Sequence, residues 1–116
     1  MIPGSRGSHS YLVKVVKENC HKSGYSLAHG AGRKMARSKA HALMQNQNPN
    51  PRTLLKTDFD SIVVCENKTL IYEEAPAAYK NIDLVVQDLV ELGLVKVIAS
   101  LKPLLTYKFK EPGFGK

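Results

Sequence analysis

A mixed α+β fold of short strands and hairpins with two main helices is the architecture this 116-residue sequence predicts, on three observations. β-branched and aromatic residues gather in short runs bounded by Gly, Pro, Asn and Ser, the pattern of strands between turns. In one long segment apolar residues instead recur at three- and four-residue steps, which is the period of a helix with one buried face. The pattern contains no internal repeat, and the chain opens directly on Pro3-Gly4-Ser5, as a piece of a larger fold would.

Ser10 to Val16 is the first predicted strand, ended by a loop over Glu18–Gly24. Tyr25–Ala28 reads as a short second strand running into His29-Gly30-Ala31-Gly32-Arg33. Arg33 to Met44 holds good helix formers with no internal Gly or Pro, which places a helix start just past Gly32. Residues 45–57 form a polar loop, because Pro49 and Pro51 disfavour helical geometry in the residues before them. Ile62–Cys65 and Thr69–Tyr72 flank Glu66-Asn67-Lys68 at a spacing that suits a hairpin. The clearest helix lies between Pro76 and Leu92, where Ala78, Ile82, Val85, Leu89 and Leu92 share a face. Pro76 suits its first turn and Gly93 the position after its last. Leu94–Ala99 and Leu101–Tyr107 follow as strands, with Pro103 confining one of them to an edge or a bulge. Residues 109–116 read as a flexible tail.

Hydrophobic residues make up 43% of the chain and charged residues 23%, enough apolar content for a core and too much for a disordered basic arm. No apolar run approaches the ~20 residues that span a bilayer, and the first residues lack the apolar stretch of a secretory signal, which places the chain in the cytoplasm. Cys20 and Cys65 form no CxxC pair and read as free thiols. The charge is uneven: through Ala40, eight Lys and Arg residues face Glu18 alone and carry the whole net charge of +7. A phosphate or polynucleotide would find its countercharge there, although a solvated basic face accounts for the charge equally well.

The chemistry-bearing residues lie in the same third. A Gly-Ala-Gly turn at a helix start would aim backbone N–H groups at an anion, and Arg33 and Lys34 would add charge. The run is neither a P-loop nor a dinucleotide fingerprint. His29, just before it, could serve as a hydrogen-bond donor, a general base or a nucleophile that takes up a phosphoryl or nucleotidyl group, or it could be structural. Gly4-Ser5-Arg6-Gly7-Ser8-His9-Ser10 is a second loop whose hydroxyls and amides suit phosphate or a base edge. His9, His21 and His41 show no ligand spacing.

Taken in order, Pro3-Gly4-Ser5-Arg6-Gly7, Ser10-Tyr11-Leu12-Val13, Ser26-Leu27-Ala28-His29-Gly30-Ala31-Gly32-Arg33-Lys34-Met35, Tyr72-Glu73-Glu74-Ala75-Pro76-Ala77-Ala78-Tyr79-Lys80-Asn81-Ile82-Asp83 and Pro103-Leu104-Leu105-Thr106-Tyr107-Lys108 closely resemble the C-terminal part of the RtcB-type RNA ligases. The resemblance spans Ile2 to about Lys108 and implies that residues 1–116 are the C-terminal, guanylate-binding segment of such a fold. It implies an enzyme that joins an RNA 3′-phosphate, or a 2′,3′-cyclic phosphate after hydrolysis, to a 5′-hydroxyl end in RNA repair or tRNA splicing, with GTP and manganese. On this resemblance His29 is the histidine that becomes guanylylated. Ser5, Ser10, Gly30, Ala31, Gly32 and Arg33 surround the guanylate, while Tyr79 and Lys108 hold the guanine. Arg6, Lys34, Arg37 and Lys39 are the expected contacts to RNA phosphates. The family's manganese ligands match nothing in this sequence, and Cys20-His21 is no substitute, since neighbours on an extended segment point to opposite sides. The implied partners are RNA and a complementary N-terminal ligase chain, without which the segment is expected to be inactive. The alternatives are a non-catalytic guanine-nucleotide or RNA-binding module, and an unstable gene remnant.

Overall fold

The structure is a computed structural model that describes residues 1–109, and short strands and helices are mixed along it. Among the described residues four strands form two separate two-stranded sheets. β1 (Ser10–Val15) runs antiparallel to β3 (Val95–Leu101), and β2 (Ile62–Cys65) runs parallel to β4 (Leu105–Lys108). The helices are α1 (Arg37–Gln47), α2 (Lys68–Glu73) and α3 (Ile82–Glu91), with 3-10 turns at Lys17–Ser23, Pro51–Leu55 and Pro76–Ala78. No described helix is long and apolar enough to cross a membrane.

Two small cores hold these elements. Ile82 and Val86 of α3 pack on Ile2 and Ala31, with Tyr11, Val13 and Leu89 around them. The apolar face of α3 therefore closes against the inner side of β1. The N-terminal arm is fixed to the same strand, because Ile2 and Tyr11 exchange backbone hydrogen bonds of 2.7 and 2.9 Å. The second core joins Met44 of α1, Tyr72 of α2 and Ala75, with Leu54 against it. Ile82 is 1% exposed and Leu84 on the same helix 58%. Ile82→Ala is therefore expected to lower unfolding stability by about 2–5 kcal/mol, and Leu84→Ala by well under about 1 kcal/mol, as read from urea titrations.

Several expectations are corrected by pairing the sequence could not show. Tyr25–Ala28 is not a strand: Gly24 and Tyr25 both adopt left-handed backbone, φ 60° and 61°, which no strand accommodates. The Glu18–Gly24 loop is mostly a 3-10 helix. The helix expected from Arg33 begins only at Arg37, because Gly32 to Lys34 are drawn into extended pairing with Ala78 to Lys80. In consequence Gly30-Ala31-Gly32 does not sit at a helix N-terminus. The 45–57 loop is shorter than expected, with α1 running to Gln47 and a 3-10 turn beginning at Pro51.

Thr69–Tyr72 lies in α2, so the hairpin with Ile62–Cys65 does not form. Asn67 decides the local outcome: its side chain accepts a hydrogen bond from the Leu70 N–H and starts a helix where the spacing of the two β-rich runs favoured a hairpin. The segment from Pro76 to Leu92 is likewise broken. Tyr79 is extended, and Asn81, accepting from the Asp83 N–H at 2.9 Å, starts α3 afresh. Gly93 ends that helix at φ +70°, in the role expected of it, since the left-handed conformation there strains any residue with a Cβ. Of the tail, only Phe109 falls within the described residues; the expectation for 110–116 lies outside them.

Candidate functional site: a cleft built on the glycine loops

A cleft of about 600 Å³ opens where four segments meet: the Gly4–Ser10 loop, the His29–Gly32 loop, the Glu74–Tyr79 stretch and the β3–β4 connection with β4 itself. Each wall has a local cause. In the first loop the Ser5 N–H donates to Ser8 Oγ at 2.8 Å and the Gly4 N–H to Ser10 Oγ at 3.1 Å, which curls the chain upon itself. The curl is so tight that a Cβ on Gly4 would lie 2.1 Å from the His9 carbonyl oxygen, so only glycine fits. The second loop is pinned on both sides. The Ala31 N–H donates to the Pro3 carbonyl at 3.2 Å, and the Gly32 carbonyl accepts from the Lys80 N–H at 2.9 Å. The Arg33–Tyr79 bridge thereby sets the aromatic ring of Tyr79 beside the histidine loop.

Glu74 organises the cleft floor. Buried to 8% exposure, it accepts hydrogen bonds from the Tyr79 hydroxyl and the Arg37 guanidinium, and it pairs with Arg33 at 3.7 Å and Lys108 at 3.9 Å. Burial by itself would raise its carboxyl, but the bonds from Tyr79 and Arg37 and the charges of Lys108 and Arg37 hold it below the ordinary carboxylate value. Burial, then the bond to Glu74, pushes the Tyr79 phenol upward. Arg33 also lies over the Tyr79 ring, 5.1 Å from its centre, and donates to the Glu73 carbonyl at 2.7 Å.

These shifts set a pH window for the site. A carboxyl lowered from 4.5 adds stability that is present above that value and lost as pH falls through its folded value. A phenol raised from 10.0 adds stability that is present below that value and lost as pH rises through its folded value. Melting temperature against pH should show both limbs, and Glu74→Gln should flatten the acid one.

A family model described as tRNA-splicing ligase RtcB matches residues 1–109. The chain belongs to the RtcB ligase family. It is 46% identical over 108 residues to the RNA-splicing ligase RtcB2 of Escherichia coli, an alignment covering 93% of this chain and 28% of that ligase. Identity to the tRNA-splicing ligase RtcB of Nanoarchaeum equitans is 38%, over 93% of this chain and 22% of the relative. For the tRNA-splicing ligase RtcB of Methanocaldococcus jannaschii the figures are 34%, 90% and 10%. The chain thus spans between a tenth and somewhat more than a quarter of the length of these RtcB relatives.

The cleft brings together Ser5, Ser10, His29, Gly30, Ala31, Gly32, Tyr79 and Lys108, with Arg33 packed on Tyr79 behind them. Residues from both ends of the sequence thereby face one cavity. The expected RNA contacts divide. Arg6 is 6% exposed and donates to the carbonyls of Glu74 at 2.9 Å and Ile71 at 3.0 Å, tying down the C-terminal end of α2 at the cleft wall. Arg37 is engaged with Glu73 and Glu74, whereas Lys34 and Lys39 are exposed. Sequence reasoning gave Glu74 no role. The available signal was a carboxylate inside the apolar run Ile71-Tyr72-Glu73-Glu74-Ala75, where an acid is kept only if paired. Among the described residues no three His, Cys, Asp or Glu side chains stand close enough together to hold a metal ion by themselves.

Proposed function

We propose that this chain carries the guanylate-accepting site of an RtcB-type RNA ligase. The observation that supports it is the single cleft that gathers His29, both glycine loops, Tyr79 and Lys108 in a member of the RtcB family. In this reading an imidazole nitrogen of His29 attacks the α-phosphorus of GTP, forming an N–P bond as the bond to pyrophosphate breaks. The guanylate then passes to an RNA 3′-phosphate, and the 5′-hydroxyl end displaces GMP as the strands join. The 3′-phosphate is supplied directly or by opening of a 2′,3′-cyclic phosphate. A neutral imidazole is the attacking form, and Arg33 and the loop amides would stabilise charge that develops on the phosphate oxygens. Tyr79 and Lys108 would hold the base. Manganese, held by ligands of a complementary N-terminal ligase portion, would supply Lewis-acid chemistry in the complete enzyme, and on this reading the chain would need that portion to act.

The test is incubation with α-labelled GTP and manganese, with and without a matching N-terminal ligase fragment, followed by denaturing electrophoresis. Acid-labile label on this chain when the fragment is supplied is the expected result. An unlabelled chain under every condition would replace the catalytic reading with a guanine-nucleotide or RNA-binding module.

A further inference from the structure

The sheet of β1 and β3 has two unlike faces. Tyr11 and Val13 point into the core, so Ser10, Leu12 and Lys14 share the opposite, outer face. The register places Lys14 directly across from Lys96, with both side chains exposed. Like charges in that position destabilise an antiparallel pair, since their Cβ atoms are only about 4.5–5.5 Å apart. Among the described residues neither lysine has an ion-pair partner within 4.0 Å. Lys17 joins them around a hollow of about 380 Å³ whose sole carboxylate is Glu18, so the hollow keeps a surplus of two positive charges.

The other end of the same face opens on the cleft. Ser10 and its strand partner Leu101 line the cleft wall, as does the next residue, Lys102. From Ser10 to Lys14 the strand advances about 13 Å, a span of a few nucleotides. Between the ends lie exposed Leu12 and Ile98, the latter left without a partner by the register shift after Leu12. A protein partner covering this face would have to bury two opposed ammonium groups, which is costly without carboxylates to meet them. A phosphate backbone meets them directly.

We propose that the outer face of β1 and β3 is a track for single-stranded RNA, with Lys14 and Lys96 gripping backbone phosphates a few nucleotides from the guanylate cleft. The choice of RNA as the polyanion rests on the ligase reading above.

The test is fluorescence anisotropy of a 5′-labelled, twelve-nucleotide single-stranded RNA ending in a 3′-phosphate, titrated with the full chain at several salt concentrations. Wild type should bind with steep salt dependence. Lys14→Gln with Lys96→Gln should weaken binding at least tenfold at low salt and lower the slope of log affinity against log salt by about 0.7–1.4, one unit of ~0.7 per phosphate lost. The same variant should melt no lower than wild type, because it removes a repulsion, and a Lys14→Arg, Lys96→Arg pair should restore binding. Unchanged affinity and slope in the Gln pair, or no RNA binding by wild type, overturns the track. So does a Gln pair that keeps RNA binding but loses assembly with the N-terminal ligase fragment, since this face would then be a protein interface. GTP labelling is read separately. Label without RNA binding sinks the track alone, and lysine-dependent RNA binding without label sinks the catalytic reading alone.

Discussion

Replacing His29 by alanine is expected to remove the acid-labile guanylate label completely while leaving non-covalent GMP binding in place. Several side chains in the cleft carry a hydroxyl, amine or imidazole that can form a bond to phosphorus, namely Ser5, Ser10, Tyr79, Thr106, Lys102, Lys108 and His29. Esters at the hydroxyls would survive acid, whereas an N–P bond would not, so acid lability narrows the set to His29 and the two lysines. Lys108 is ion-paired with Glu74 at 3.9 Å, and an ammonium is not a nucleophile. Lys102 lies over the Phe59 ring, 5.8 Å from its centre. That leaves His29, exposed on the loop that Pro3 and Lys80 pin in place. Because Ala31 and Gly32, not the imidazole, make those pinning bonds, the alanine variant should keep the wild-type fold and melting temperature. Full labelling of the variant would move the nucleophile to a lysine and refute the assignment.

Glu74→Ala should have the second large effect, on stability and on the site together. Deleting the carboxylate leaves the Tyr79 hydroxyl, Arg33, Arg37 and Lys108 without their common partner. Breaking a buried pair costs about 3–5 kcal/mol, and because the Arg37 side chain is 57% exposed the expected loss here is on the order of 2–4 kcal/mol. Urea unfolding reads that loss. Glu74→Gln, which keeps the shape and one acceptor, should unfold less easily than the alanine variant yet still weaken GMP binding, since Lys108 and Tyr79 lose the charge that positions them. A midpoint for Glu74→Ala equal to wild type would show that the network holds nothing together.

Local signals served best where one residue decides the backbone. The β-branched and aromatic run of Ser10–Val15 forms β1, Gly93 closes α3 in the left-handed conformation, and of the predicted helix face Ile82 and Leu89 meet the core, while Val86 takes the buried place expected of Val85 and Leu92 is 60% exposed. They failed where two conformations were close in local energy. Thr69–Tyr72 is β-rich in composition, yet the Asn67 cap and the burial of Ile71 and Tyr72 draw it into a helix. β2 then pairs in parallel with β4, some forty residues further on, a contact that no turn sequence announces. The start of α1 was displaced by four residues for a similar reason: the backbone bonds from Gly32 to Lys80 and from Lys34 to Ala78 outweigh the helix preference of Arg33 and Lys34.

The candidate site shows the same division. Residue identities already carry the chemistry, a histidine between two glycine-rich loops with an aromatic and a lysine further along, because nucleophiles, hydroxyls and small residues are properties of single positions. Which charges are free to act follows instead from the packing of distant segments. It buried Arg6 under α2 and joined Arg33, Arg37, Lys108 and Tyr79 through Glu74. It also set Lys14 against Lys96 on an exposed strand face, because the worth of a charge depends on its distance to other charges and to water.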